Sequence, residues 1–152
     1  MCRLRDYRHG DEQSVFQIVK EVLAGYGLST NPEVTDADLK DIDRFYISCG
    51  GTFKVLESDG RIVGSYGLYP ETASCCELRK MYLLPEFQGC GLGKKMLEDA
   101  LSEARTLGFS EMALETNSCL KKALGLYRSY GFREFTPDHL SDRCDIAMKR
   151  EL

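Results

Sequence analysis

The densest chemistry in this chain lies in eight consecutive residues, Gln88-Gly89-Cys90-Gly91-Leu92-Gly93-Lys94-Lys95. Three glycines at alternate positions remove side chains, so backbone N–H groups can approach a ligand. The segment runs from the end of an expected strand into a helix start, whose unpaired amides add donors and about half a positive charge. Lys94 and Lys95 bring further positive charge to the first turn. Such a site suits a phosphate or pyrophosphate. Two phosphate loops of known spacing do not fit. A P-loop needs four residues between its first glycine and Gly-Lys-Ser/Thr, and Met96 stands where the hydroxyl belongs. A dinucleotide fingerprint needs G-x-G-x-x-G after the first strand, whereas this loop reads G-x-G-x-G late in the chain. As spacing alone, a glycine-rich connection that binds nothing remains the alternative.

The elements that must position this loop follow from periodicity. Arg3 to Tyr7 reads as an opening strand. A helix begins at Gly10-Asp11, with Val15, Phe16, Val19, Val22 and Leu23 at helical spacing, and Gly25-Tyr26-Gly27 ends it. Thr35-Asp36 can cap a second helix over Ala37 to Cys49. Strands are expected at 52–57 and 61–69, joined by the Asp59-Gly60 turn, and at Cys75 to Leu84, stopped by Pro85. The glycine loop feeds a helix whose stripe is Leu92, Met96, Leu97, Ala100, Leu101, Ala104 and Leu107. A strand at 111–115, a helix from Asn117 to Tyr130, and strands at 132–135 and 145–149 complete the chain. This order predicts an α/β or α+β domain with a mixed central sheet, residues 1–152 forming a single unit.

Composition narrows the function classes. Among 152 residues, 20 basic side chains face 24 acidic ones, a net charge of −4, which argues against nucleic-acid binding. No apolar run approaches a membrane span. The N-terminal Met1-Cys2-Arg3-Leu4-Arg5-Asp6 lacks a signal-peptide core, so a cytoplasmic location is expected. The seven cysteines, at 2, 49, 75, 76, 90, 119 and 144, form no C-x-x-C pair. His9 and His139 lack a second ligand at helical spacing, so no metal site is expected.

The loop gains meaning beside two further blocks. Gln88-x-x-Gly91-x-Gly93, preceded by Glu77-Leu78-Arg79-Lys80-Met81-Tyr82-Leu83-Leu84-Pro85, resembles the acyl-CoA-binding motif of the GNAT superfamily of N-acetyltransferases. That motif reads Gln/Arg-x-x-Gly-x-Gly/Ala. Ala123-x-x-Leu126-Tyr127-x-x-x-Gly131-Phe132, with Asn117 upstream, resembles a second family block, and the element order fits over essentially the whole chain. The resemblance implies a GNAT-like acyl-CoA N-acyltransferase fold, with about seven strands, about four flanking helices and a splay between the fourth and fifth strands. It also implies a bulge in the fourth strand. Acetyl-CoA is the implied co-substrate. Its pantetheine arm would run along the strand backbone at Met81, Tyr82 and Leu83, and its pyrophosphate would meet Gln88 and the amides of Gly89, Cys90, Gly91, Leu92, Gly93 and Lys94. Asn117 would hydrogen-bond beside the pantetheine.

The same resemblance implies the acid and the base. Tyr127 occupies the position of a family tyrosine near the thioester sulfur. A phenol of pKa about 10 can donate to a thiolate of pKa about 8.5. Glu77 matches a family glutamate acting on the amine, with Glu115 or a water chain as alternatives. A nucleophilic Cys90 or Cys119 is the runner-up chemistry. By family analogy Tyr26, Asn31, Phe45, Tyr46, Tyr66 and Tyr69 would line an acceptor pocket, and Arg79 would clamp a substrate carboxylate. The expected activity is direct acetyl transfer to a primary amine of a small molecule or amino-acid-like acceptor. The alternatives are a peptide or protein acetyltransferase, or a non-catalytic acyl-CoA-binding module; a homodimer is left open.

Overall fold

Alternating strand segments and amphipathic helices need one another's apolar faces, and here both faces of a single sheet are covered. The computed structural model describes residues 1–152. Its strands are β1 (Cys2–Asp6), β2 (Thr52–Ser58), β3 (Arg61–Pro70), β4 (Cys75–Leu83), β5 (Glu111–Thr116), β6 (Arg133–Phe135) and β7 (Ile146–Glu151). They form a seven-stranded sheet in the order β1-β2-β3-β4-β5-β7-β6, in which β4 and β5 alone run parallel. The mixed sheet read from the sequence is therefore present, with ends displaced by one or two residues.

Helices α2 (Leu92–Thr106) and α3 (Lys121–Ser129) cover one face. Met96, Leu97, Ala100, Leu101 and Ala104 of α2 are all buried, and each large apolar side chain removed from water contributes about 1.5–3 kcal/mol. Leu97, Ala100, Leu101 and Ala104 join Cys76, Leu78, Met112 and Leu114, the residues of β4 and β5 that point to that face, while Met96 packs with Ile18, Val22 and Val63. Helix α1 (Glu12–Ala24) covers the other face, packing Val15, Val19 and Leu23 on Phe53 and Val55.

The expected helix over Ala37 to Cys49 is instead two short turns, Ala37–Lys40 and Asp43–Ile47. Asp41 separates them, because its Oδ1 accepts from the Arg44 amide at 3.1 Å and restarts the chain direction. The helix expected from Asn117 begins only at Lys121. Asn117 Oδ1 accepts from the Cys119 amide at 2.9 Å, and this local turn competes with helix.

Two irregularities in β4 set up everything that follows. Lys80 has φ 54°, and the register against β3 slips between Ser65 and Gly67, so β4 bulges there. Ser65 Oγ donates to the Lys80 carbonyl at 2.8 Å and satisfies the displaced backbone. Pairing of β4 with β5 covers Cys75–Leu78 against Glu111–Leu114 and then stops. Beyond that point β4 stays with β3 and β5 stays with β7, so the sheet splays open.

Candidate active site

The splay opens into a cavity of about 750 Å³ whose lining includes Leu78–Leu83 from β4, Glu115–Asn117 from β5 and its exit, and the starts of α2 and α3. Side-chain alternation along β4 puts Cys76 and Leu78 on the α2–α3 face and Glu77 on the α1 face. The bulge then turns Arg79 and Lys80 to the same side. Arg79 lies over the Tyr69 ring, 4.0 Å from its centroid, and Lys80 reaches Asp36 and Asp38. Tyr127, from α3, comes from the opposite face. Both Glu77 and Tyr127 nevertheless line the one cavity, because the gap between β4 and β5 joins the two faces.

At one end of the cavity the loop reads differently from its glycine pattern. Gly89 and Gly91 both have φ 85°, in the left-handed region that favours glycine, and a Cβ at either would meet nothing within 4 Å. Their need for glycine is therefore conformational. A Cβ at Gly93 would lie 3.8 Å from Leu126 Cδ2, an ordinary contact, so neither backbone conformation nor packing in the protein itself demands glycine there. Gln88 Nε2 donates to the Leu83 carbonyl at 2.8 Å, a tether from the loop back to β4. Gly89, Gly91, Gly93 and Lys94 line the cavity. The side chains of Cys90 and Leu92 do not: Cys90 Sγ donates to the Phe87 carbonyl at 3.2 Å, and Leu92 packs on the α1 side. Neither α2 nor α3 carries an acidic residue in its first turn, where acids are normally favoured. Instead Lys94, Lys95, Lys121 and Lys122 cluster there, and none forms an ion pair. Lys94 and Lys122 line the cavity and Lys95 and Lys121 do not, so two helix starts and two unpaired ammonium groups face this end.

The other end is built from segments far apart in sequence. Asp36 is fully buried and accepts two bonds from Arg143, at 2.8 and 2.9 Å, and one from the Asn31 amide at 2.7 Å. Lys80 Nζ approaches Asp36 at 3.1 Å and Asp38 at 3.3 Å, and donates to the Thr35 carbonyl at 3.0 Å. Asp38 in turn accepts from the buried Tyr46 hydroxyl. This cluster ties the 29–40 and 139–145 segments over the β4 bulge. Its residues have no spacing signature, and their sequence neighbours, Thr35-Asp36-Ala37-Asp38, Arg79-Lys80 and Asp142-Arg143, look like ordinary polar segments.

Glu77 is largely buried, and Arg79 Nε donates to it at 2.5 Å. Burial raises its carboxyl most, Arg79 opposes, and neighbouring Glu71 adds to the rise, leaving it at about 7. Glu115 lines the same region, and its Oε1 accepts from the Ser141 amide and hydroxyl, both at 3.0 Å. The Tyr127 side chain is buried beside Phe132, its ring centroids 5.8 Å away, and its hydroxyl has no hydrogen-bond partner in the protein. Burial drives its pKa well above that of a free phenol.

Several sequence expectations are corrected here. The Asn117 amide is engaged within the protein, since Nδ2 donates to the Arg143 carbonyl at 2.9 Å while Oδ1 holds the Cys119 amide. Arg79 is bound to Glu77 and Glu71 and is not free to clamp a carboxylate. Of the six proposed pocket residues only Tyr26 lines the cavity. Tyr46 and Tyr66 are fully buried core residues, hydrogen-bonded to Asp38 and Asp99. Cys90 and Cys119 are exposed and outside the lining. Cys144 does line it, but burial raises its thiol, the wrong direction for a nucleophile.

Comparison with known proteins agrees with this geometry. Residues 14–132 match the model of the "Acetyltransferase (GNAT) family". The chain is 36% identical over 152 residues to Uncharacterized N-acetyltransferase YjgM of Escherichia coli, covering 93% of this chain and 90% of that one. An acetyltransferase of GNAT family from Staphylococcus aureus superposes with a TM-score of 0.92 at 19% identity, covering 99% of each chain. The PaiA N-acetyltransferase of Thermoplasma acidophilum, solved in complex with coenzyme A, gives a TM-score of 0.78 at 18% identity, over 100% of this chain and 99% of that one.

Proposed function

The chain belongs to the GNAT acetyltransferase family, and on that premise we propose that it transfers the acetyl group of acetyl-CoA directly to a primary amine of a small molecule. The observation that carries this reading is the cavity at the β4–β5 splay, which gives Glu77 and Tyr127 access to a common space from opposite faces of the sheet. The Thermoplasma relative in fold, solved with coenzyme A, supports the choice of co-substrate.

The residues present fit that co-substrate. The amides of Gly89, Cys90, Gly91, Leu92, Gly93 and Lys94 are assigned to the pyrophosphate, with Lys94 and Lys122 offering charge that no internal carboxylate neutralises. Met81, Tyr82 and Leu83, on the stretch of β4 that β5 leaves unpaired, are assigned to the pantetheine arm. Gln88 and Asn117 act indirectly, holding the loop and the cavity wall through the Leu83 and Arg143 carbonyls.

Bound acetyl-CoA supplies an electrophilic acyl carbon and a thiolate leaving group. Glu77, at about 7, is partly ionised at neutral pH and can take the proton the amine surrenders. Tyr127 keeps its proton in the resting enzyme. Its donation to sulfur is favoured because the same burial also raises the proton affinity of a thiolate formed beside it. The nitrogen gains the acyl carbon and loses one proton; the sulfur leaves with the bonding pair and gains one.

The test is thiol release from acetyl-CoA against a panel of amines, with mass detection of the acetylated product. Tyr127→Phe should lower kcat by about 10²–10⁴ and change CoA affinity by no more than about 0.5–1.5 kcal/mol, one hydrogen bond. A thioester with a much more acidic thiol should rescue the variant. Full activity in Tyr127→Phe would reduce the tyrosine to a packing residue. Tight CoA binding with no thiol release for any amine would point to a non-catalytic module instead.

A further inference from the structure

The cavity is charged oppositely at its two ends, and the acceptor end holds no cation to spare. Three cationic side chains line it, and each is already engaged. Arg143 is held by both oxygens of Asp36, and its Nη1 also donates to the Ser29 carbonyl at 3.2 Å. Lys80 sits between Asp36 and Asp38. Arg79 pairs with Glu77 at 2.5 Å and Glu71 at 3.4 Å, and its flat face is covered by the Tyr69 ring. Facing the same space are Glu71, Glu77 and Glu115, and since Asp36 and Asp38 already hold Lys80 and Arg143, only Arg79 stands against these three. His139, also in the lining, is exposed and makes no hydrogen bond.

The rim beyond these charges is apolar. Tyr26 and Leu28, which follow α1, and Val34 line the opening, and Val34 is 71% exposed. Deeper in the same cavity lies Tyr127, whose hydroxyl has no hydrogen-bond partner in the protein. A substrate carboxylate lodged near Glu77 would therefore face like charge with no free guanidinium or ammonium to meet it, which disfavours its binding. An amine with an apolar substituent meets the opposite conditions, carboxylates at the nitrogen and apolar side chains at its tail.

Resting on the acetyltransferase reading above, we propose that the acceptor is an alkyl- or arylalkylamine with no carboxylate beside its nitrogen, and that Glu71, Glu77 and Glu115 exclude α-amino acids.

The test compares phenethylamine, phenylalanine and phenylalanine amide, which share a side chain and differ in charge beside the nitrogen. Two readouts are taken: kcat/KM for thiol release, and calorimetric affinity for the enzyme saturated with CoA. The expected result is a preference of about 10²-fold or more for phenethylamine over phenylalanine in both readouts. The amide should recover to within about tenfold of the amine, because it removes the charge but keeps the carbonyl. His139→Ala should leave the ratio intact. Equal affinity for amine and amino acid overturns the proposal, as does failure of phenethylamine to bind at millimolar concentration. An amide about tenfold better than the amine overturns it in favour of peptide N-termini. Ordered affinities without thiol release would uphold the selectivity and defeat the acetyltransferase reading instead, so the two fail separately.

Discussion

Two carboxylates in this protein each sit against an arginine, yet they are driven in opposite directions. Asp36 pairs with Arg143 and falls to about 2; Glu77 pairs with Arg79 and rises to about 7. Burial alone would raise both. At Asp36 it is outweighed by two guanidinium bonds, the Lys80 ammonium and the Asn31 amide, all converging on one group. At Glu77 a single guanidinium nitrogen opposes burial, and Glu71, which shares the same arginine, adds a neighbouring carboxyl. An arginine neighbour does not by itself decide a carboxylate's character. The number of donors that reach it, and the company of other carboxylates, divide a structural clamp from a group poised to exchange a proton.

Breaking the clamp should have the largest effect. Asp36→Ala leaves Arg143 and Lys80 with buried charge and should cost about 3–5 kcal/mol in urea unfolding. A loss under about 1 kcal/mol would show that the clamp is no stronger than a surface pair. The Asp36 contribution is complete above its unfolded value of 3.8 and is lost as pH falls through about 2.

Glu77→Gln should come next, lowering kcat/KM by roughly 10² at neutral pH. The wild-type rate should rise with pH up to about 7 and then level, and the variant should lack that inflection. Its effect on stability has the reverse sign to that at Asp36. A carboxyl raised in the folded state stabilises fully below its unfolded value of 4.5, and the contribution is lost as pH rises through about 7. The variant should thus be more stable than wild type at pH 8, by about 1–2 kcal/mol, and no more stable at pH 4. An unaltered rate profile would pass the base to Glu115 or water.

Glu71→Gln should have the smallest effect and sharpen the contrast most directly. It removes the like charge and leaves Arg79 to Glu77 alone, so the rate inflection should move down by about half a unit. An inflection that stays put would leave burial as the whole cause of the raised Glu77.

What the sequence determined by itself was whatever depends on near neighbours. The stripe that buries Met96, Leu97, Ala100, Leu101 and Ala104 was legible because helical spacing alone decides which residues share a face. The order of strands and helices, and the glycine loop between β4 and α2, were legible for the same reason. The reasons for the individual glycines were not, since the φ of 85° at Gly89 and Gly91 and the ordinary helical backbone at Gly93 look identical in a sequence. The split of 37–49 into two turns, and the late start of α3, turned on side chains of Asp41 and Asn117 capping backbone amides where helix was expected. The acceptor end was decided by tertiary structure alone. Arg143 meets Asp36 across 107 positions, and Lys80 reaches it only because a bulge turns two consecutive β4 side chains to one face. The basicity of Glu77 belongs to the same class. Charge is written in the residue type, but the strength of its field depends on what excludes water and what stands opposite, and both are supplied by chain distant in sequence.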